Sequence, residues 1–495
     1  MKKTVTLLLL LTFVVNVFAQ TSTRNADVLV LSLDDALKIA LSESPSIKIA
    51  EKEIQRVQYV KKETMGGLLP NVKLSGAYQR AIKKQVMYMD GDAFNFVSML
   101  EPVTEPLISG IGRTFMDVGV NPLTFAAYMK QAYEDYAAAN PPKESSDGGI
   151  VVGRDNTFTG GISATLPLIA PALWAAINLT EHQLELVQES ARASKLSLIN
   201  QVSKAYYATL MARDSYNVIR RSAENSIENA RIVKSKFDNG MVSEFEWIRA
   251  DVQAKSAATN LVSAESAVNL STLNLKMLMG IDMFTEVKTI GSLADFEKIM
   301  FGDVMKIDPS SFDDNSDLKQ FDIQTKQLEQ SLKINQATML PTLGLQFDYN
   351  YMSMVQDKDV FTDRQRWNPA SNISVGLSIP LFQGGKFSKN RQIKIQLDEM
   401  SLNRLNLERG LQLQAINYME NIKKSLKKIE SDKQAMVQAE KAMTISRTMY
   451  ETGMATYLDV ANAELAYTAA GLTYNQSIFD YLSNKADLEK ILGKE

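Results

Sequence analysis

The sequence of 495 residues predicts an internally duplicated α+β membrane protein, in which four transmembrane β-strands per chain are combined with long coiled-coil helical hairpins. Three observations support this fold class. A long segment of the chain occurs twice, four segments alternate strictly between apolar and polar residues, and the remaining helical segments are longer than a globular domain accommodates.

The duplication is visible in short matching segments that keep a constant separation. Phe237–Met241 returns as Tyr450–Met454, and the glycines of these two segments are separated by 453 − 240 = 213 positions. The same separation relates two further pairs, Leu166–Leu168 with Ile379–Leu381 and Leu278–Gly280 with Ile491–Gly493. A constant separation indicates a duplicated segment without net insertion, which fixes the architecture before any other feature is considered.

The duplication extends upstream with a larger separation. Gly67–Val72 resembles Thr338–Leu343, and their prolines differ by 341 − 70 = 271, so the first copy carries extra residues between Pro70 and Pro167. The predicted organisation is a signal peptide at residues 1–19, a first repeat at 20–282, a linker segment at 283–315 and a second repeat at 316–495.

The N-terminus has the pattern of a secretory signal peptide. Lys2 and Lys3 precede an apolar stretch, and small residues lead to an expected cleavage after Ala19. The apolar stretch is shorter than the roughly 20 residues that cross a bilayer, which disfavours the alternative of a membrane anchor. The mature chain is therefore expected outside the cytoplasm.

The composition excludes several functional classes. The chain has no cysteine and a single histidine, His182, so disulfides, thiolate catalysis and metal sites built on these residues are not expected. The net charge of −3 gives no indication of nucleic acid as a partner. Because no nucleophile–base pair, phosphate loop or metal-ligand spacing appears, the sequence predicts neither an enzyme nor a bound metal or cofactor.

Four segments alternate between apolar residues and small or polar residues. In the segment near 342–351, Leu343, Leu345 and Phe347 occupy one face of the predicted strand. The other three segments lie near 71–80, 157–167 and 372–380. Strands of about 10 residues with this pattern are typical of outer-membrane barrels. Strands of a soluble sandwich alternate too, but the small polar face and the low number of strands favour the barrel.

Four strands are too few for a closed barrel, because about eight is the smallest transmembrane case. Open strand edges in lipid would leave unpaired backbone groups, each costing roughly several kcal/mol. The strands therefore predict oligomerisation. Cyclic symmetry permits a dimer with eight strands or a trimer with twelve, and the residues alone leave both open.

Two long helical hairpins are predicted, near 173–280 and 386–492, with their tips near Gly240 and Gly453. A helix of about 65 residues would reach roughly 100 Å. From Ile422 to Tyr450 apolar residues recur at every seventh position, as in a coiled-coil seam. Glycine is favoured where a helix ends in a left-handed residue, so both tips are expected at the far ends of their hairpins.

The extra residues of the first copy, about 81–156, are predicted to form an extracellular insert between its two strands. Asn121 and Pro122 begin an amphipathic, aromatic helix within it. This helix is interpreted either as a lid over the barrel mouth or as an exposed surface loop. The lid residues would be Phe125, Tyr128, Tyr133 and Tyr136. The linker segment is too apolar for a free connection and is expected to pack around the helices.

Several motifs, in order and in duplicate, resemble the outer membrane efflux protein family of TolC-like channels. They are Leu31–Leu41, Ser44-Pro45, Leu68–Pro70, Pro380–Gly385, and Tyr450 and Gly453 followed by Leu458–Val460. The resemblance implies a homotrimer, in which twelve strands form a barrel in the outer-membrane lipid and the helices continue it as a long periplasmic α-helical barrel. It also implies a periplasmic adaptor (membrane fusion protein) and an inner-membrane pump as partners.

The resemblance further implies a gate at the periplasmic aperture. Tyr450 matches a gate tyrosine of the family, Asp459 matches an acidic residue that lines the closed aperture, and Glu246 is the repeat equivalent of Asp459. Two positions depart from the TolC pattern. Ala455 replaces an arginine that helps to lock the closed state, and Asn462 replaces a second aspartate. The alternative role for Asp459 and Glu246 is that of solvated residues at a helix start.

The hairpin tips match the positions that adaptors contact in the family, namely Gly240, Met241, Gly453 and Met454. The implied function is an outer-membrane exit duct of a tripartite efflux or type I secretion system, which passively conducts substrates from the adaptor and pump to the outside. The alternative is a periplasmic coiled-coil structural or adaptor protein without a pore. Neither the transported substrate nor the identity of the adaptor follows from the sequence.

Overall fold

The computed structural model describes residues 28–88, 122–139, 149–303, 311–356 and 367–494. These residues form two compact units. The helical unit contains the chain up to Gly66, Ala170–Leu340 and the chain from Ile379, and the sheet unit contains Gly67–Ile169 and Pro341–Ser378. Each unit therefore combines equivalent parts of both repeats.

In the described elements, groups of one or two strands alternate with groups of one or two helices along the chain. They are β1 (Leu29–Leu31), α1 (Leu33–Glu43), α2 (Pro45–Gly66), β2 (Asn71–Arg80), β3 (Gln85–Tyr88), α3 (Pro122–Ala139), β4 (Gly149–Val152), β5 (Asn156–Ile169), α4 (Pro171–Asp238), α5 (Glu244–Met279), β6 (Val287–Thr289), α6 (Leu293–Asp303), α7 (Ser316–Ala337), β7 (Thr342–Val355), β8 (Asn368–Ser378), α8 (Gly384–Glu451) and α9 (Tyr457–Ile491).

Two helical hairpins of nearly equal dimensions dominate the helical unit. Their outgoing helices α4 and α8 both contain 68 residues, and their first residues, Pro171 and Gly384, are again 213 positions apart. The returning helices α5 and α9 contain 36 and 35 residues. At 1.5 Å per residue, each outgoing helix is roughly 100 Å long. The duplication in the sequence is thus a duplication of one hairpin.

The hairpins pack on each other through α4 and α9, while α2 packs against α4, and α7 packs against α4 and α8. The fully buried side chains here include Leu210 of α4, Ile422 and Ile429 of α8, and Ile478 of α9. Ile422 and Ile429 belong to the seven-residue seam, so the heptad positions lie in the core of the helical unit.

The segment between the repeats contains β6 and α6, and both are fastened to the hairpins. Strand β6 pairs in parallel with β1, and the hydroxyl of Tyr206 donates to the carbonyls of Leu31 and Ile290 at 3.2 and 2.8 Å. The hydroxyl of Tyr481 donates to the carbonyl of Met300 in α6 at 3.0 Å. Buried tyrosines that satisfy backbone carbonyls hold these short elements in place.

The sheet unit contains one antiparallel sheet with the strand order β2-β5-β7-β8, and a separate antiparallel pair β3-β4. The register of the four strands aligns their apolar residues across the sheet. One such row consists of Val72, Ala164, Phe347 and Ile373. Val72, Phe347 and Ile373 are exposed, so this face of the sheet presents apolar side chains at the surface of the single chain.

Several short elements carry no sequence signal and were not predicted. The strands β1 and β6 have three residues each, which is too short to show a period-two pattern. Helix α7 does not belong to this group, since it begins at Ser316, where the second repeat was predicted to start; the side chain of its N-cap, Asn315, accepts from the N–H of Leu318. None of the helices in the described ranges carries an apolar stretch of the length required to cross a membrane.

Candidate functional site: the hairpin tips

The tips of both hairpins have the same backbone geometry. Gly240 and Gly453 have φ angles of 70° and 81°, in the left-handed region that favours glycine. The residue after each glycine donates its N–H to a carbonyl of the last helical turn. Met241 donates to the carbonyl of Lys236 and Met454 to the carbonyl of Met449, both at 2.8 Å. This is the Schellman arrangement, and it ends each outgoing helix at an equivalent point.

Both returning helices begin with an equivalent N-cap. The hydroxyl of Ser243 accepts from the N–H of Glu246 at 3.3 Å, and the hydroxyl of Thr456 accepts from the N–H of Asp459 at 3.4 Å. In the second hairpin the carboxylate of Asp459 also accepts a hydrogen bond from the N–H of Thr456 at 2.9 Å. The hydrogen bonds from Thr456 lower the pKa of Asp459. Only the second tip therefore has a complete capping box.

The carboxylate of Glu246 is bound instead to the other hairpin. It accepts a hydrogen bond from the hydroxyl of Tyr450, with 3.3 Å between the two oxygens. Tyr450 lies at the end of α8 and is 4% exposed. Burial and the negative charge of Glu246 both raise the pKa of Tyr450, so the phenol stays protonated and remains the donor. This contact joins α5 to α8 across the two hairpins.

Lys236 of the first hairpin makes a second contact with Tyr450. Its Nζ donates to the carbonyl of Tyr450 at 2.6 Å and lies 4.0 Å from the centre of the tyrosine ring. A cation at the C-terminal end of a helix meets the partial negative charge of the last carbonyls. The face of an aromatic ring attracts it as well. Lys236 thus supplies a positive charge to the end of α8.

A small apolar cluster closes the space between the tips. Its buried members are Val233, Ala250, Tyr450, Tyr457 and Val460. The rings of Tyr450 and Tyr457 meet edge to face, with centroids 6.1 Å apart at 66°. The cluster includes residues from α4, α5, α8 and α9, so the two hairpins share one apolar contact near their tips.

The structure brings together some of the gate residues predicted from the sequence and separates others. Tyr450 and Glu246 are in contact, as described above. Asp459 is exposed and engaged in its own helix cap, and Asn462 is exposed on α9 without a described hydrogen bond. The sequence analysis missed Lys236, because its repeat equivalent is Met449 and no motif marks the position.

The tip residues Met241 and Met454 project from the helical unit. Their side chains are 72% and 68% exposed. Phe245 and Leu458, each near the start of a returning helix, are exposed as well. Apolar side chains left at the surface of a helix end mark a surface that is suited to contact with another protein.

The predicted lid residues lie in α3. Tyr128 is exposed, and the side chains of Phe125, Tyr133 and Tyr136 lie outside the described part of the structure. Within the described ranges, no group of three or more acidic or histidine side chains is arranged to hold a metal ion.

Comparison with known proteins finds one family throughout. A family model described as outer membrane efflux protein matches residues 139–281 and 310–494. The outer membrane protein TolC of Vibrio cholerae is 21% identical over 353 residues, which cover 69% of this chain and 77% of that protein. The cobalt-zinc-cadmium resistance protein CzcC of Cupriavidus metallidurans is 21% identical over 424 residues, 80% of this chain and 97% of that protein. The fold resembles the crystal structure of the Campylobacter jejuni CmeC outer membrane channel, with a TM-score of 0.62, 16% identity, and coverage of 93% of this chain and 85% of that chain.

Proposed function

The chain belongs to the outer membrane efflux protein family, and we propose that it is the outer-membrane exit duct of a tripartite efflux or type I secretion system. The family consists of channels rather than enzymes. In this proposal the protein passively conducts substrates that a periplasmic adaptor and an inner-membrane pump deliver. Its own residues supply the wall of the duct, the gate and the docking surface, and no chemical step.

The observation that carries the proposal is the unfinished sheet with an exposed apolar face. Within the described residues, the outer edges of β2 and β8 pair with no further strand. Exposed apolar residues such as Leu74, Val375 and Leu377 line one face. Unpaired edges are costly in lipid, so further copies of the chain are needed to pair them. Three copies would provide twelve strands, as the family resemblance implies.

The helical unit offers matching surfaces for a second copy. Helices α5 and α8 are the outer members of the pair of hairpins, since α4 and α9 form the main contact between the hairpins and α5 meets α8 near the tips. Each carries a row of exposed apolar residues. On α5 these are Phe245, Ile248, Val252, Val262 and Leu270, and on α8 they are Ile395, Leu402, Leu413, Ile416 and Val437. Packing α5 of one copy against α8 of the next would bury both rows in a closed ring.

We propose that Tyr450, Glu246 and Lys236 hold the gate in its closed state. The resemblance to TolC implies a locking arginine at the position where this chain has Ala455. Lys236 provides a cation from the opposite hairpin, and its contacts with Tyr450 connect the same two hairpins. Asp459 and Asn462 are exposed near the tip, where a ring of carboxylates from three copies would attract cations.

We propose the tips as the docking surface for the adaptor. Met241 and Met454 are exposed at equivalent reversals, beside Gly240 and Gly453. Three copies would present six such tips in one ring. The aromatic helix α3, with Tyr128 exposed, stays a candidate lid for the extracellular side.

A pair of lysine substitutions tests the membrane assignment directly. Val375 and Ser374 are neighbours on β8, both exposed, but they point to opposite faces of the sheet. If the apolar face contacts lipid, Val375→Lys places a charge in the bilayer at a cost of about 2–4 kcal/mol near its centre, while Ser374→Lys does not.

We expect Val375→Lys to abolish or strongly reduce recovery of folded trimer from outer membranes, and Ser374→Lys to be recovered at wild-type levels. Planar-bilayer recordings of the Ser374→Lys protein should show channels. Equal recovery of both variants as soluble protein would refute the membrane assignment. A folded trimer in detergent that never conducts, also after the tip contacts are removed, would refute the duct.

A further inference from the structure

A buried carboxyl group lies in the contact between the two hairpins, above the tip cluster. Glu464 of α9 is 3% exposed and faces α4. Its Oε1 accepts from Nδ2 of Asn229 at 2.7 Å, and its Oε2 accepts from the hydroxyl of Ser226 at 3.0 Å. Both donors are neutral, and both belong to the other hairpin.

The charges around Glu464 are occupied elsewhere. The charge of Arg447 of α8 lowers the pKa of Glu464, but the ion pair of Arg447 is with Glu451. Arg221 of α4 is bound to Glu440 of α8 at 2.7 Å. Among the described residues, Glu464 has no ion pair of its own.

The second polar group on this side of α9 is the hydroxyl of Tyr457. It is buried, and it has no hydrogen-bond partner within the described residues. Tyr457 lies seven positions before Glu464, so both side chains project from the same face of the helix. Burial and the charge of Glu464 raise the pKa of Tyr457, and the charge of Arg249 of α5 opposes this shift.

Burial has a direct effect on protonation. Removal from water raises the pKa of Glu464 to about 7, against an ordinary value of 4.5, although the hydrogen bond from Ser226 and the charge of Arg447 oppose the shift. Burial of the carboxyl group therefore outweighs the hydrogen bonds donated to it, which favour the anion, and stabilises the acid relative to its state in water.

We propose that Glu464 makes the contact between α4 and α9 dependent on pH, so that the hairpins stay packed while its side chain is protonated and separate more readily once it is ionised. The link from this separation to opening of the duct rests on the proposed function. The pH dependence of the contact itself does not.

The direction of this pH dependence follows from the linkage between proton binding and packing of the hairpins. When the hairpins separate, water reaches Glu464 and its pKa falls towards 4.5, so the packed state binds the proton more tightly. The packed state is therefore most stable below about pH 4.5, and this part of its stability is lost as the pH rises through about 7. Over this interval we expect the equilibrium constant for separation to rise tenfold or more.

The duplication supplies a matched control. Asp251 of α5 is the repeat equivalent of Glu464, since 464 − 251 = 213. Its carboxylate is partly exposed and forms an ion pair with Lys255 of the same helix at 2.7 Å. Asp251→Asn therefore removes a carboxylate at the same height of the other hairpin without touching the contact between them.

Thiol accessibility measures the separation directly, because the chain has no cysteine of its own. Val460 lies in the tip cluster and is 1% exposed, so a thiol introduced by Val460→Cys reacts only when the hairpins part. Leu458→Cys, on the exposed side of α9, gives the reference rate at each pH and corrects for ionisation of the thiol. The rates are measured on the full-length protein in detergent from about pH 5 to about pH 8.

We expect the ratio of the two rates to rise tenfold or more with pH in the otherwise wild-type protein and in Asp251→Asn. In Glu464→Gln, which keeps a neutral side chain of the same shape, the ratio should stay within about twofold of its low-pH value. A Glu464→Gln profile with the wild-type slope, or a flat wild-type profile, would overturn the proposal.

Planar-bilayer recordings of the same preparations separate this inference from the proposed function. If the thiol ratio depends on pH through Glu464 but no preparation conducts at any pH, the duct is refuted and the pH-dependent contact stands. If the protein conducts while the thiol ratio is insensitive to Glu464→Gln, the duct stands and the pH-dependent contact is refuted.

Discussion

Glu246 and Asp459 occupy equivalent positions of the duplicated hairpins, yet their carboxylates bind different partners. Asp459 bonds back to Thr456 and completes the cap of its own helix. Glu246 accepts from Tyr450 of the other hairpin. Both backbones begin their helices in the same way, so the difference lies in the longer side chain of Glu246 and in the presence of Tyr450 within its reach. One repeat position stabilises a helix, and its equivalent joins two hairpins.

The capping box at the second tip predicts unequal effects of the two cap substitutions. Thr456→Ala removes two bonds of the Thr456 hydroxyl, one from the N–H of Asp459 and one to its carboxylate, whereas Ser243→Ala removes a single one. We expect Thr456→Ala to weaken the first turn of α9 by about 1 kcal/mol, and Ser243→Ala to weaken the first turn of α5 by less. Hydrogen exchange of the amides in these turns should accelerate roughly fivefold and less than threefold, respectively. Equal acceleration at both tips would contradict the distinction.

The contact between Glu246 and Tyr450 predicts graded effects on the gate that we propose at the tips. Glu246→Ala and Tyr450→Phe each remove the bond, at a cost of about 1 kcal/mol, so the open probability in planar bilayers should rise roughly fivefold. Glu246→Gln keeps an acceptor oxygen and should have a smaller effect. The double variant Glu246→Ala with Tyr450→Phe should match either single variant, because both remove the same bond. Additive effects would mean that the two residues act separately.

The sequence predicted the repeated parts of the fold because duplication and periodicity are local signals. The glycines at 240 and 453, the alternation in β7 and the seam from Ile422 to Tyr450 are all visible along the chain, and the family motifs accompany them. The short strands β1 and β6 gave no such signal, since three residues cannot show a period. Their pairing depends on contacts over a long stretch of chain.

The candidate site was predicted only where motifs mark it. Tyr450 and Glu246 were identified from the family pattern and from the repeat, respectively. Lys236 and Glu464 were not, because their roles arise from contacts between the hairpins. Lys236 contacts a residue 214 positions away and Glu464 one 235 positions away. Burial of a carboxyl group at such a contact cannot be deduced from its neighbours in the sequence.

Replacement of Lys236 is predicted to weaken the contact between the hairpins, whereas replacement of the nearby Lys234 is not. Lys236→Met removes the hydrogen bond to the carbonyl of Tyr450 and the contact with its ring, together about 1–2 kcal/mol, so the hairpins should separate roughly tenfold more often. Lys234 is a matched control, because it contacts Asp238 and Trp247 of its own hairpin. Thiol accessibility after Val460→Cys should increase with Lys236→Met and not with Lys234→Met. An unchanged rate in the first variant would remove Lys236 from the gate.

Asp459 has two candidate roles, and a conservative substitution separates them. Asp459→Asn removes the charge but leaves a side-chain oxygen that accepts from the N–H of Thr456, so the helix cap persists. If three Asp459 carboxylates line the aperture, block of the conductance by trivalent cations should weaken at least tenfold in Asp459→Asn. Asp251→Asn, further from the tip, should leave the block unchanged. Unaltered block in Asp459→Asn, with a normal first turn by hydrogen exchange, would assign Asp459 to capping alone.

Two glycines of α8 and its tip predict stability changes of opposite sign. Gly453 has a φ of 81°, so Gly453→Ala forces a side chain into the left-handed region at a cost of about 1–2 kcal/mol. Gly410 lies inside α8, and an added methyl group there meets no atom within 4 Å. Gly410→Ala should therefore stabilise the helix by about 0.5–1 kcal/mol, mainly by restricting the unfolded chain. Urea unfolding followed by far-UV circular dichroism should move the midpoint down for Gly453→Ala and up for Gly410→Ala. A destabilised Gly410→Ala protein would show that this face of α8 is tightly packed in the assembled protein, which would locate a contact with a neighbouring copy at the middle of the helix.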